Sequence, residues 1–133
     1  ALAVAKHNAK LNNADIIFLQ SDLYGNFPKE IRFDIIVSNP PYISTDKIAE
    51  LETQVKDFEP KLALDGGKDG LDFYKKILKL SKDFINKSGR LYLEIGYDQA
   101  KEVVDLAKKE EYYNIQIIKD LSGRDRGISM SVD

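Results

Sequence analysis

Apolar positions along this 133-residue chain fall into two kinds of run. Short, near-continuous runs recur at Ile16-Ile17-Phe18-Leu19, Ile35-Ile36-Val37 and Leu91-Tyr92-Leu93-Glu94-Ile95, each β-branched or aromatic in character. Runs of that length and composition predict strands buried on both faces, as in parallel sheets. Between the second and third, the spacing turns helical. Leu71, Tyr74, Ile77, Leu78 and Ile85 share one stripe, predicting a helix from about Gly70 to Asn86 that Asp69 caps, Asp72 favours and Ser88-Gly89 ends. A further helix over about 98–109 buries Ala100, Val103, Val104 and Ala107 and sets Lys108 and Lys109 against its C-terminal dipole. The opening, Ala1 to Leu11, reads as a helix with Leu2, Ala5 and Ala9 on one face, ended by Asn12-Asn13. No capping residue precedes it, so the chain reads as starting inside a helix. Two more runs, Ile115 to Lys119 and Ile128 to Val132, are separated by too few residues for a parallel crossover and predict an antiparallel hairpin. The sum is one α/β domain over residues 1–133, with a mostly parallel sheet closed by that hairpin.

Composition narrows the picture. Hydrophobic residues make up 43% and charged residues 32%, the mix of an ordinary globular chain. A net charge of -2 disfavours nucleic acid gripped by bulk positive charge. The absence of Cys excludes disulfides and thiolate metal sites, and a single His, His7, excludes a multi-histidine centre. No apolar run approaches the ~18 residues of a membrane span. These features together predict a soluble, cytoplasmic domain that holds no metal.

Chemistry concentrates at Asn39-Pro40-Pro41-Tyr42, directly after the run Asp34-Ile-Ile-Val-Ser38. Ligands of open α/β sheets bind at the carboxyl ends of strands. Pro40 pushes Asn39 out of the helical region, and the two prolines stiffen the loop without donating hydrogen bonds. The Asn39 side-chain oxygen and the Pro40 carbonyl can then accept the two N–H groups of a planar amide or amine, with the Tyr42 ring lying flat against it. An amide nitrogen is a poor nucleophile because its lone pair is delocalised. Two acceptors on its hydrogens return density to nitrogen and aim it, and positioning of this kind supplies roughly 7–11 kcal/mol of a barrier in favourable cases. The plainer reading of the tetrapeptide is a stiff turn.

Other residues carry plainer readings. His7 lies among Lys6, Asn8 and Lys10 on a solvated helix face. The Asp65-Gly-Gly-Lys-Asp69-Gly70 segment has the wrong spacing for an EF-hand and reads as a glycine-rich loop leading into a capped helix. Glu94, inside an apolar run, requires satisfaction by backbone N–H groups or by Arg124. Gly123 to Arg126 reads as a hairpin connector with solvated charges, and Tyr112-Tyr113 as core.

Asn39-Pro-Pro-Tyr42 after Asp34-Ile-Ile-Val-Ser resembles motif IV of amino-group methyltransferases. The stretch Glu59-Pro60-Lys-Leu-Ala-Leu-Asp65-Gly-Gly-Lys-Asp69-Gly70-Leu71-Asp-Phe-Tyr74, together with Leu93-Glu-Ile-Gly-Tyr-Asp-Gln99 and Asp120-Leu-Ser-Gly-Arg-Asp-Arg126, resembles the HemK/PrmC family of protein-(glutamine-N5) methyltransferases. That resemblance covers essentially the whole chain. It implies part of a Rossmann-like class I domain dependent on S-adenosyl-L-methionine (SAM), a glutamine of the Gly-Gly-Gln loop of peptide-chain release factors as substrate, and S-adenosyl-L-homocysteine as product. It also implies that Asn39, Pro40 and Pro41 bind the substrate amide and that Tyr42 packs on it, with Asn39, Pro40 and Tyr42 as the catalytic set. Asp22 would face the adenine amino group of SAM, Leu23 would cover its ring, and Asn39 would also lie against the cofactor. The glycine-rich loop becomes part of the active-site wall.

The departures are specific. The first glycine is Gly25, so the family's glycine-rich SAM loop is not found, nor is the acidic residue that binds the cofactor ribose. The resemblance therefore implies the C-terminal portion of a catalytic domain, with N-terminal strands missing and strand edges open to pairing in a homo-oligomer. Two other readings stay open: methylation of an exocyclic amine on DNA or RNA with a flipped base in place of glutamine, and a binding or assembly fragment without catalysis.

Overall fold

Among the described residues four strands form one mixed sheet in the order β1-β2-β4-β3: β1 (Phe33–Ser38), β2 (Ile85–Glu94), β3 (Tyr113–Lys119) and β4 (Asp125–Ser131). The structure, a computed structural model, describes residues 1–50 and 60–133; Glu59 of the quoted motif lies outside the described residues. β1 and β2 run parallel, with Ile36 opposite Leu91 and Ser38 opposite Leu93. β2 pairs antiparallel with β4, and β4 with β3, so the expected C-terminal hairpin is present. The order leaves β1 and β3 as the two edges, the feature on which the expected self-association rests.

Among the described residues three α-helices accompany the sheet: α1 (Leu2–Leu11), α2 (Asp72–Ser81) and α3 (Ala100–Lys109). The core is one cluster. Tyr74, Ile77 and Leu78 of α2 and Val103 and Ala107 of α3 meet Leu91, Leu93 and Ile95, and Ile128 and Met130 of β4 complete it. The 3.6-residue period of the helices and the two-residue period of β2 explain why these side chains converge. α1 is tied in lightly, with Ala9 its one buried residue. It ends as the Asn pair predicts: Asn13 takes a left-handed φ of 49°, and the Ala14 N–H reaches back to the Ala9 carbonyl.

Four expectations are corrected. The run Ile16 to Leu19 joins no ladder, and Ile17 is 96% exposed, because among the described residues no strand lies beside it to take its backbone hydrogen bonds. β1 is not buried on both faces: Ile35 and Val37 are exposed, since their alternate positions point away from the Leu91 and Leu93 side that α2 and α3 cover. The helix expected to reach Asn86 stops at Ser81, where Ser81 Oγ donates to the Ile77 carbonyl at 2.7 Å and Tyr112 Oη to the Leu78 carbonyl at 2.8 Å. Those bonds satisfy helix-end carbonyls, and Ile85 instead opens β2. Ser88-Gly89 consequently lies within β2, in a bulge between the pairs Phe33–Ile85 and Ile35–Arg90. Of the tyrosine pair, Tyr112 is core and Tyr113 is exposed.

Candidate active site

β1 delivers its last residue, Ser38, into the ladder opposite Leu93, and the Asn39-Pro-Pro-Tyr42 loop leaves from that carboxyl end. Asn39 is exposed and Pro40 buried. Among the described residues, neither the Asn39 side chain nor the Pro40 carbonyl takes part in a hydrogen bond, and of the two it is Asn39 that faces open space. Asn39 lines a cavity of about 270 Å³ together with Ser38, Tyr92, Glu94, Asp120 and Arg126. Its far wall is the β3–β4 hairpin.

Tyr42 is turned differently from the expectation. Its hydroxyl donates to Glu94 Oε1 at 3.3 Å, and its ring lines a neighbouring cavity of about 430 Å³ with Tyr97, Gln99 and Arg126. Arg126 borders both cavities. Burial, followed by the Glu94 charge and the bond to it, raises the Tyr42 pKa, so the phenol stays a neutral donor. Glu94 is thus satisfied by a phenol. Arg124 sits over the Tyr97 ring at 5.7 Å instead, while Arg126 pairs with Asp120 at 3.5 Å.

The segment from Leu64 to Gly70 is stitched to the loop's exit. The Ile43 N–H donates to the Leu64 carbonyl, the Gly66 N–H to the Ile43 carbonyl, and the Thr45 N–H to the Gly67 carbonyl, at 2.8–3.1 Å. Asp65 Oδ1 accepts from Thr45 Oγ1 at 2.7 Å and from the Gly67 N–H at 3.0 Å, and these bonds hold its carboxyl below the usual carboxylate range. A Cβ on Gly66 would stand 2.8 Å from Tyr42 Cα and 2.9 Å from the Pro41 and Gly70 oxygens, so only glycine lets the two loops close. The expected Asp69 cap is not formed: α2 starts at Asp72 with Leu71 as its N-cap and no side-chain cap bond, and Asp69 Oδ1 instead accepts the Leu71 N–H at 3.0 Å in the turn before it.

The expected cofactor residues lie elsewhere. Asp22, exposed, lines a cavity of about 780 Å³ with Gln20, Ser21, Asn26 and Lys76; Leu23 borders an apolar one of about 340 Å³ with Phe33, Val37 and Ser38. Neither shares a cavity with Asn39, although Ser38 borders both the Leu23 and the Asn39 cavities. Leu23 holds a left-handed φ of 49° in the turn closed by the Gly25 N–H on the Asp22 carbonyl. Sequence reasoning gave Gln99 and Arg126 no role at the site. The signal for Gln99 was its position three residues after Gly96, where its backbone N–H closes a turn onto the Gly96 carbonyl and so aims the side chain inward.

A known methyltransferase from Pyrococcus furiosus superposes with a TM-score of 0.67 at 23% identity, over 96% of this chain and 55% of that one. The family model described as Methyltransferase small domain matches residues 1–57. The fold is that of the class I SAM-dependent methyltransferases, a class that uses SAM as methyl donor. The release factor glutamine methyltransferase of Thermodesulfovibrio yellowstonii is 42% identical over 127 residues, 95% of this chain and 45% of that protein. That of Fusobacterium nucleatum is 42% identical over 129 residues, 96% of this chain and 36% of its own length. Along nearly its whole length the chain is similar in sequence to the release factor glutamine methyltransferases. It spans less than half the length of these curated relatives. Among the described residues no helix is long and apolar enough to cross a membrane.

Proposed function

We propose that this chain provides the substrate side of an enzyme that transfers a methyl group from SAM to the side-chain amide of a glutamine in a peptide-chain release factor. The observation that carries it is the unengaged Asn39 side chain, which lines a cavity of about 270 Å³ at the carboxyl end of β1, followed directly by a Pro40 carbonyl that no hydrogen bond occupies among the described residues. The relatives' identity across nearly the whole chain supports the substrate class.

The reading assigns each residue a task. Asn39 and Pro40 accept the two amide hydrogens, which rotates the nitrogen into line and localises its lone pair. Pro41 stiffens the exit of the loop. Tyr42 closes the site from the Glu94 side as a neutral phenol. SAM supplies an electrophilic methyl on a sulfonium; the residues that would hold its adenine end, Asp22 and Leu23, are neighbours in sequence that line separate cavities here. Asp22 offers an exposed carboxylate beside Gln20 and Asn26, and Leu23 an apolar side chain next to Ser38 at the same end of β1. The single contiguous core supports residues 1–133 as one domain.

Methyl transfer from labelled SAM to a release factor, by the protein expressed from its complete reading frame, tests this. Label should appear on the glutamine of the Gly-Gly-Gln loop and vanish when that glutamine is replaced. Asn39→Ala should lower turnover by roughly a hundredfold or more while calorimetry shows SAM still bound. Label that persists on the altered release factor would overturn the proposal.

A further inference from the structure

The side-chain amide of Gln99 ties three pieces of chain together. Its Nε2 donates to the Tyr42 carbonyl at 3.0 Å and the Gly70 carbonyl at 3.4 Å. Its Oε1 accepts from the Gly96 N–H at 3.0 Å. Tyr74 Oη, whose one hydrogen goes to the Glu94 carbonyl at 3.0 Å, lies 3.4 Å from that oxygen. The three pieces are the end of the Asn39–Tyr42 loop, the glycine-rich wall and the turn after β2. Gly70 makes room for this: its φ is +73°, and a Cβ there would stand 2.7 Å from Gln99 Nε2 and 2.5 Å from the Tyr42 carbonyl oxygen.

The consequence falls on the loop. Ser38 is fixed in the β1–β2 ladder at one end. Pro40 and Pro41 have φ set by their rings. Holding the Tyr42 carbonyl closes the other end, so few torsions are left by which the Asn39 side chain and the Pro40 carbonyl can drift. We infer that Gln99 is a positioning residue: by binding the Tyr42 carbonyl it aims the two acceptors of the Asn39–Pro40 pair at the substrate amide. This rests on the proposed function, because what it positions is that pair.

Two variants separate positioning from simple bracing, both made in the protein expressed from its complete reading frame. Gln99→Glu keeps the size and the acceptor side but turns a carboxylate oxygen toward two carbonyls. Gln99→Met keeps the length and has neither donor nor charge, which covers the case in which the first variant does not fold. A misplaced acceptor pair lowers kcat on the order of 10²-fold. KM for the release factor and the calorimetric Kd for SAM should stay within about twofold, since the cofactor residues and outer surface are untouched. A folded variant with unchanged kcat overturns the assignment. So does a loss of kcat that merely tracks the fraction of protein able to bind SAM, or failure of both variants to fold, each of which makes Gln99 a brace. Wild-type protein that methylates no release factor in the same assay overturns the proposed function, and the Gln99 assignment with it. Active wild type beside an indifferent Gln99→Met overturns the assignment alone.

Discussion

The two sides of β1 differ in almost every physical respect. Toward β2, Leu91, Leu93, Ile128 and Met130 are at most 1% exposed under α2 and α3, and the loop leaving the strand is held by hydrogen bonds to Leu64, Gly67 and Gln99. On the opposite face of the strand, Ile35 is 61% and Val37 75% exposed. The site straddles that division. Pro40 is buried and Tyr42 packs against the core cluster, whereas Asn39 is exposed in a cavity that Val37 also lines. Of the candidate cofactor residues, Leu23 packs against the same cluster and Asp22 is exposed in a cavity of its own. A preorganised acceptor pair requires packed neighbours, which this loop has at Pro40 and Tyr42.

The contrast is sharpest in a pair of truncations measured by urea denaturation. Leu91→Ala should cost about 2–5 kcal/mol, since it opens a cavity in the centre of the cluster. Val37→Ala, one ladder position away on β1, should change stability by no more than about 0.5 kcal/mol. Equal costs would show that the exposed side of β1 is packed after all. Next in size is Gly66→Ala, whose new methyl meets the backbone of Pro41, Tyr42 and Gly70. Overpacking of this kind should cost about 1–3 kcal/mol and lower methyl transfer in the same variant.

The smallest effect is a pH dependence. The folded-state pKa of Asp65 is depressed, first by the Thr45 bond and then by the Gly67 N–H. A depressed carboxylate stabilises above its unfolded value, about 3.9, and that contribution disappears as pH falls through the lower folded value. The difference in Tm between wild type and Asp65→Asn should therefore be full above about pH 5 and shrink below about pH 4. A difference that is flat across this window removes the carboxylate charge from the stitching of the two loops.

Much of the packed side was readable from residues alone. The periodicity of Tyr74, Ile77 and Leu78 and of Val103 and Ala107 identified the buried helix faces. The short gap before Ile128 forced a hairpin, and the position of Asn39 after an apolar run placed it at a strand end. The errors have physical causes. Ile85 continues the helical stripe, but the bonds of Ser81 and Tyr112 to the carbonyls of Ile77 and Leu78 end α2 first, and no local pattern announces a tertiary cap from a residue 34 positions away. Ile16 to Leu19 has strand composition but no neighbour in the sheet, and pairing is not a property of one segment. Arg124 and Arg126 are equivalent in sequence; the start of β4 at Asp125 brings Arg126, and not Arg124, to the Tyr42 side.

The bulge in β2 offers a practical opening. Lys87 is exposed there, at the opposite end of the strand from Glu94 and the Asn39 loop, and Asn86 Nδ2 anchors the protrusion to Asp34 Oδ1 at 2.7 Å. Because the chain contains no cysteine, a thiol introduced at Lys87 would be its sole point of attachment for a fluorophore or spin label. A reporter fixed at that spot would test for docking of the proposed substrate without standing in the doorway.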